Sequence, residues 1–128
     1  MAKRIFLSHS FVDRALLNDL LQFFQARGGP VMATPTYMRT DLGEAGPERI
    51  RQAIREQMQG CAGVLLLVGD EAHNSRWIQY EMGVANELRI PKYRLQHPAR
   101  TGGPPVAHAG MHEIPWSPRE VAAVLNPL

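Results

Sequence analysis

Val64-Leu65-Leu66-Leu67-Val68 is the stretch of this 128-residue chain that decides its fold. The residues are apolar at consecutive positions, so a strand built from them has no face suited to water. Such strands occur in parallel sheets, whose connecting helices cover both faces. Residues 64–68 therefore predict the central strand of a three-layer α/β sandwich.

Strand-like and helix-like patterns alternate on both sides of this stretch. The predicted strands are residues 3–8, 30–34, 64–68, 92–96 and 111–114. The predicted helices begin near Ser10, Pro47, Ser75 and Ser117, and the first three end near Gly28, Gly60 and Arg89. Two segments rich in Pro and Gly, 35–46 and 97–110, are predicted to be mobile loops. The alternation favours a single domain over residues 1–128, with a mostly parallel five-stranded sheet that binds ligands beyond the carboxyl ends of its strands.

Composition excludes several classes of function. Fourteen Lys and Arg against twelve Asp and Glu give a net charge of +2, and the basic residues are scattered, so nucleic-acid binding is not expected. The one cysteine, Cys61, cannot form an internal disulfide, which favours a reducing compartment and a cytoplasmic location. No apolar run is long enough for a membrane span, and the N-terminus does not resemble a signal peptide.

Glu81 is the residue whose position most needs an explanation. On a helical wheel of about 100° per residue it falls in the middle of the apolar face of the third helix. That face is formed by Trp77, Ile78, Met82, Val84, Ala85 and Leu88. A buried carboxylate costs free energy unless it is paired, protonated or beside a cavity, and ionisable groups so placed are candidates for functional sites. A structural ion pair with an arginine explains the same pattern, and the sequence leaves both interpretations open.

Other polar and aromatic residues are weaker candidates. Ser8 and His9 follow the first predicted strand, where a phosphate or ribose would meet hydroxyl, imidazole and backbone donors. Trp77 is most simply a core residue, although an aromatic ring beside a carboxylate would also suit the wall of a nucleotide pocket. His108 and His112 have the spacing of metal ligands on a helix, but Gly110 lies between them and no cysteine pair accompanies them, so no metal site is expected.

Three segments together resemble the TIR-like family, especially the bacterial Thoeris anti-phage proteins. They are KRIFLSHSFVD at 3–13, GVLLLVGDEAHNSRWIQYE at 63–81 and IPWSPREV at 114–121. In NSRWIQYE, Trp77 precedes Glu81 by four residues, as around the catalytic glutamate of NAD-cleaving TIR domains. The resemblance implies a flavodoxin-like fold in which Glu81 is catalytic and Ser8, His9 and Trp77 bind the substrate. Residues 35–46 would then close the pocket or contact another subunit.

The resemblance also implies the reaction and its partners. The enzyme would cleave the nicotinamide–ribose bond of NAD, which is a substrate rather than a cofactor, and no metal would be needed. The product would be a cyclic or conjugated ADP-ribose, a diffusible messenger read by a separate effector protein. Self-association is expected, since TIR domains commonly assemble.

Two other interpretations of the sequence compete with this one. A non-catalytic protein–protein interaction module with the same fold would use Glu81 only as a structural residue. A phosphoryl receiver or flavin carrier is less compatible with the residues. A receiver requires acids after the first strand, where this chain has Ser8-His9-Ser10, and neither a P-loop nor a G-x-G-x-x-G element is present.

Overall fold

The computed structural model describes residues 3–10, 14–38, 46–69, 76–99 and 111–128. Its strands are β1 Arg4–Ser8, β2 Thr34–Thr36, β3 Gly63–Val68, β4 Lys92–Gln96 and β5 His112–Glu113. Its α-helices are α1 Arg14–Leu21, α2 Pro47–Met58, α3 Arg76–Glu87 and α4 Pro118–Leu125. The strands form one sheet in the order β2-β1-β3-β4-β5, and every pair is parallel. The predicted α/β, flavodoxin-like class with a five-stranded sheet is confirmed.

The two faces of β3 pack against different pairs of helices, which confirms the prediction made from residues 64–68. Every residue of β3 is buried. Leu65 and Leu67 join the core cluster that contains the buried residues of α1 and α4. Leu66 and its even-numbered neighbours join a second cluster with α2 and α3. The consecutive apolar run therefore reflects helices on both sides of the sheet.

The order of the strands determines where a ligand would bind. From β1 the chain moves to β2 on one side, whereas from β3 it moves to β4 and β5 on the other. In open parallel sheets a crevice forms at such a reversal, beyond the carboxyl ends of the two strands concerned. In this protein that crevice lies next to Ser8 at the end of β1 and Val68 at the end of β3.

The first helix and the second strand differ from the prediction. The helix ends at Leu21 rather than near Gly28, because Phe24 leaves the helical path, forms a parallel bridge with Val31 and is fully buried. A 3-10 turn at Gln25–Arg27 then leads into the glycines.

Strand β2 lies at Thr34–Thr36 rather than at 30–34, so it begins later than predicted and enters the segment predicted as a loop. Its position is fixed by pairing with β1, in which Thr34 lies opposite Arg4 and Thr36 opposite Phe6. Pro35 is tolerated because β2 is an edge strand.

The predicted helix starts are only partly covered by the described residues. At α4 the prediction is confirmed, since the hydroxyl of Ser117 accepts a hydrogen bond from the backbone N–H of Glu120 and Pro118 occupies the first turn. Asp13, Asn74 and Ser75 lie outside the described residues, as do residues 39–45 and 100–110 of the two predicted loops. None of the helices in the described part of the chain is both long and apolar enough to cross a membrane.

Substitution of two glycines by alanine tests the described turn at residues 23–29, with Gly29 in the turn and Gly83 in α3 as the control. A Cβ on Gly29 would lie 2.2 Å from the backbone carbon and oxygen of Phe23, whereas a Cβ on Gly83 of α3 would meet nothing within 4 Å. We expect Gly29→Ala to lower the free energy of unfolding by roughly 2–3 kcal/mol, the cost of overpacking. Gly83→Ala should raise it by about 0.5–1 kcal/mol, because alanine favours the helix. Urea unfolding measures both changes, and equal stability of the two variants would contradict the described turn at residues 23–29.

Candidate active site

Glu81 lies on the buried face of α3, as the helical wheel predicts. It is 1% exposed and shares this face with Ile78, Met82 and Ala85, which pack into the core between α3 and the sheet. Trp77 lies one helical turn earlier, at the spacing that brings two side chains of a helix together. The apolar periodicity that buries α3 therefore also buries the acid.

Two hydrogen-bond donors reach the carboxyl of Glu81 from different elements. Ser8 at the end of β1 donates from its hydroxyl to Oε1 of Glu81 over 2.8 Å, and both side chains are buried. The indole of Trp77, which can only donate, makes a second hydrogen bond to the carboxyl from within α3. The structure therefore brings three of the predicted site residues together at the crevice between β1 and β3.

No arginine or lysine among the described residues forms an ion pair with Glu81. The ion pairs between described residues include Arg51–Glu48, Arg55–Glu87, Arg94–Glu113 and His97–Asp19. Within the described part of the chain, the structural ion pair considered from sequence is not what holds this carboxyl. Neutral hydrogen-bond donors hold it instead.

Burial changes the protonation of Glu81. Loss of water around the carboxyl raises its pKa from 4.5 to about 8, and the hydrogen bonds from Ser8 and Trp77 act in the opposite direction without cancelling the effect. The carboxyl therefore holds its proton at neutral pH in the substrate-free protein. A buried acid with such a pKa, located where the strand order of a parallel sheet reverses, is a typical candidate for a catalytic group.

His9 has a different environment although it is the next residue after Ser8. Its ring is 3% exposed and packs edge-on against Tyr37, with ring centroids 6.0 Å apart. Burial and the positive charge of Arg14 lower its pKa to about 4, so the imidazole is neutral at pH 7. Arg14 in turn donates to the backbone carbonyl of Met38 over 2.6 Å. His9 therefore belongs to a group of contacts between the ends of β1 and β2.

Arg14 and Tyr37 are neighbours of the candidate site that were not predicted from the sequence. Arg14 begins α1 immediately after the first strand-end loop, and Tyr37 follows β2 within the segment that was expected to face the strand ends. Their position beside the carboxyl ends of strands was the available signal. The contact of Tyr37 with His9 depends on the pairing of β1 with β2, which no local pattern specifies.

The candidate site is closed to solvent. Ser8 is 0% exposed, His9 3% and Glu81 1%. Trp77 is the half-buried member of the group. A ligand that contacts the carboxyl must therefore move groups that now cover it.

The described residues contain no group of three or more His, Cys, Asp or Glu that could hold a metal ion. His112 packs its ring edge-on against Tyr93, and His108 lies outside the described residues. Cys61 is buried and joins the cluster between α2 and α3, in agreement with a packing role.

Comparison with known families identifies the family to which this fold belongs. The model of the TIR-like domain of the Thoeris protein ThsB matches residues 6–93, more than half of the chain. This span contains Ser8, Trp77 and Glu81 and ends within β4. A comparison with curated proteins finds no match. The chain therefore belongs to the Thoeris ThsB TIR-like domain family, and its role is that of a TIR domain in anti-phage defence.

Proposed function

We propose that the protein cleaves the nicotinamide–ribose bond of NAD, with Glu81 as the catalytic carboxylate. The observation that carries this proposal is the burial of Glu81 in the crevice between β1 and β3, with hydrogen bonds from Ser8 and Trp77 and no ion-pair partner among the described residues. Burying an ionisable carboxyl in an apolar environment costs free energy. Such a group suits a reaction that needs one negative charge in a low-dielectric site.

The chemistry of NAD matches a single buried carboxylate. When the bond between the nicotinamide nitrogen and C1′ of the ribose breaks, its electron pair leaves with nicotinamide and positive charge develops on the ribose. A carboxylate beside the ribose stabilises that charge more strongly in a low-dielectric site than in water. Glu81 also accepts hydrogen bonds from the ribose hydroxyls in this mechanism and so orients the sugar.

The proton on Glu81 is compatible with this role because the substrate is cationic at its reacting end. An opposite charge near a carboxyl lowers its pKa, so the nicotinamide ring favours the ionised form. The proton passes to solvent as the site fills, and the carboxylate forms only when substrate is present. The free protein thereby avoids an uncompensated buried charge.

The closed site favours transfer of the ADP-ribosyl group to an acceptor other than water. Water at C1′ would give linear ADP-ribose, whereas attack by another nucleophile of the nucleotide gives a cyclic or conjugated product. A site that excludes water favours the second outcome. We infer that this product is a diffusible messenger for a separate effector protein, and that NAD enters as a substrate with no bound cofactor or metal.

Replacement of Glu81 by glutamine tests the proposal directly. The amide keeps the size of the side chain but removes the charge, so we expect Glu81→Gln to lower NAD turnover at least a hundredfold, as expected when a main source of electrostatic stabilisation is lost. Glu87→Gln is the matched control, because Glu87 is an exposed acid of the same helix. Mass spectrometry after incubation with NAD should detect nicotinamide and a cyclic or conjugated ADP-ribose.

Two results would contradict parts of the proposal. Equal turnover by Glu81→Gln and the wild type would exclude Glu81 as the catalytic group and favour the non-catalytic interaction module. Release of nicotinamide with linear ADP-ribose as the sole product would retain NAD cleavage but exclude the messenger.

The stability of Glu81→Gln should depend on pH in a defined direction. The pKa of Glu81 is about 8 in the folded protein and 4.5 as its ordinary value, so the folded state binds the proton more tightly. The free energy by which the protonated Glu81 stabilises the fold is fully present below about pH 4.5. It is lost as pH rises to about 8, where the folded protein also gives up the proton. Glutamine has no such loss, so the variant should nearly match the wild type near pH 5 and exceed it at pH 8 by on the order of 4 kcal/mol.

Thermal melting from pH 5 to pH 9 measures this difference, with Glu87→Gln as the control that should show no such gain. A variant that is less stable than the wild type throughout this range would indicate that Glu81 has a stabilising structural partner.

Assembly is the expected route by which substrate gains access to the buried site. Because Glu81 and Ser8 are buried in the single chain, substrate entry requires rearrangement, which contacts between copies or an activator would drive. We expect NAD turnover per molecule to fall on dilution and to rise when infected-cell extract is added. A high rate per molecule that is independent of concentration and extract would mean that the monomer is already competent.

A further inference from the structure

Ser8 connects the interior of the sheet to the candidate catalytic group. It is the last residue of β1 and lies opposite Leu66 in the pairing of β1 with β3. β1 is an interior strand of the sheet, and at Ser8 its backbone is held by the pairing with β3. The side chain of Ser8 is therefore fixed by the sheet rather than by a loop.

The hydroxyl of Ser8 is already engaged and lies farther from solvent than the rest of the site. It donates to Oε1 of Glu81 over 2.8 Å, and the residue is 0% exposed. Trp77, the second donor, is half-buried and belongs to the same helix as Glu81. Within this group the Ser8 hydroxyl is therefore covered by the protein, whereas part of the Trp77 side chain is exposed to solvent.

We propose that Ser8 is a positioning residue, which holds Glu81 in its reactive orientation from inside the sheet and does not itself contact NAD. This inference rests on the proposed function of Glu81 and assigns Ser8 a different role from the substrate contact expected by resemblance. One carboxyl oxygen, Oε1, is held by a group anchored in β1, which fixes the orientation of the carboxyl relative to the sheet. Without this bond, the remaining donor belongs to α3 itself and cannot fix the carboxyl relative to the sheet.

Ser8→Ala tests the positioning role by its separate effects on kcat and on KM. We expect kcat to fall about tenfold to a hundredfold, the range for loss of one hydrogen bond to a charged group, while KM changes less than about twofold. Because the hydrogen bond from Ser8 lowers the pKa of Glu81, the midpoint of the pH–kcat/KM profile should move upward in the variant.

The control is Ser117→Ala, which removes the cap of α4 and costs about 1 kcal/mol of stability without changing the candidate site. It should leave kcat and the pH profile unchanged. Ser8→Cys keeps the size of the side chain with a weaker donor, and it should shift kcat and the midpoint in the same direction by less. This second variant keeps the test decisive if Ser8→Ala does not fold.

A readout independent of NAD cleavage separates the two proposals. The carboxyl ¹³C resonance of Glu81, assigned by its absence in Glu81→Gln, should titrate at higher pH in Ser8→Ala than in the wild type. That shift would support positioning by Ser8 even if the wild type cleaved no NAD. A rise in KM with unchanged kcat would instead indicate direct contact with substrate, and an unchanged titration would exclude any effect of Ser8 on Glu81.

Discussion

The burial of both faces of β3 is the constraint on which the rest of the structure depends. An apolar strand of this kind must be covered by helices on each side, and parallel connections supply them. The two core clusters follow directly, one with α1 and α4 and the other with α2 and α3. The same connections produce the reversal between β1 and β3, so the crevice that contains Ser8 and Glu81 is a consequence of how this strand is covered.

Glu81 is the buried residue of this core that lowers the stability of the folded protein. It occupies a position in the cluster between α3 and the sheet that an apolar side chain would fill at lower cost. Two neutral donors and a retained proton make its burial tolerable without an ion pair among the described residues. Strain of this kind is common at functional sites, where a group is kept in an unfavourable environment because the reaction requires it.

On the opposite side of the sheet, side-chain contacts join α1 to the neighbouring strand ends. His97 follows β4, and its Nε2 lies 2.7 Å from Oδ2 of Asp19 on α1. Its Nδ1 accepts a hydrogen bond from the backbone N–H of Ala99, and its ring packs on Trp116 with centroids 4.8 Å apart. Together with the hydrogen bond from Arg14 to Met38, these contacts join α1 to the ends of β2 and β4. The strands that flank β1 and β3 are thereby tied to α1.

The sequence by itself determined the features that depend on local periodicity. The consecutive apolar residues of β3, the burial of Glu81, the neighbouring Trp77 and the cap at Ser117 all follow from spacing within one element. Only the tertiary structure decided that α1 ends at Leu21, that β2 pairs at Thr34–Thr36, and that the donor to Glu81 is Ser8, 73 residues away. The physical reason is that strand pairing and side-chain contacts between elements depend on how the whole chain closes, whereas a helical or strand period records only which face of each element is buried.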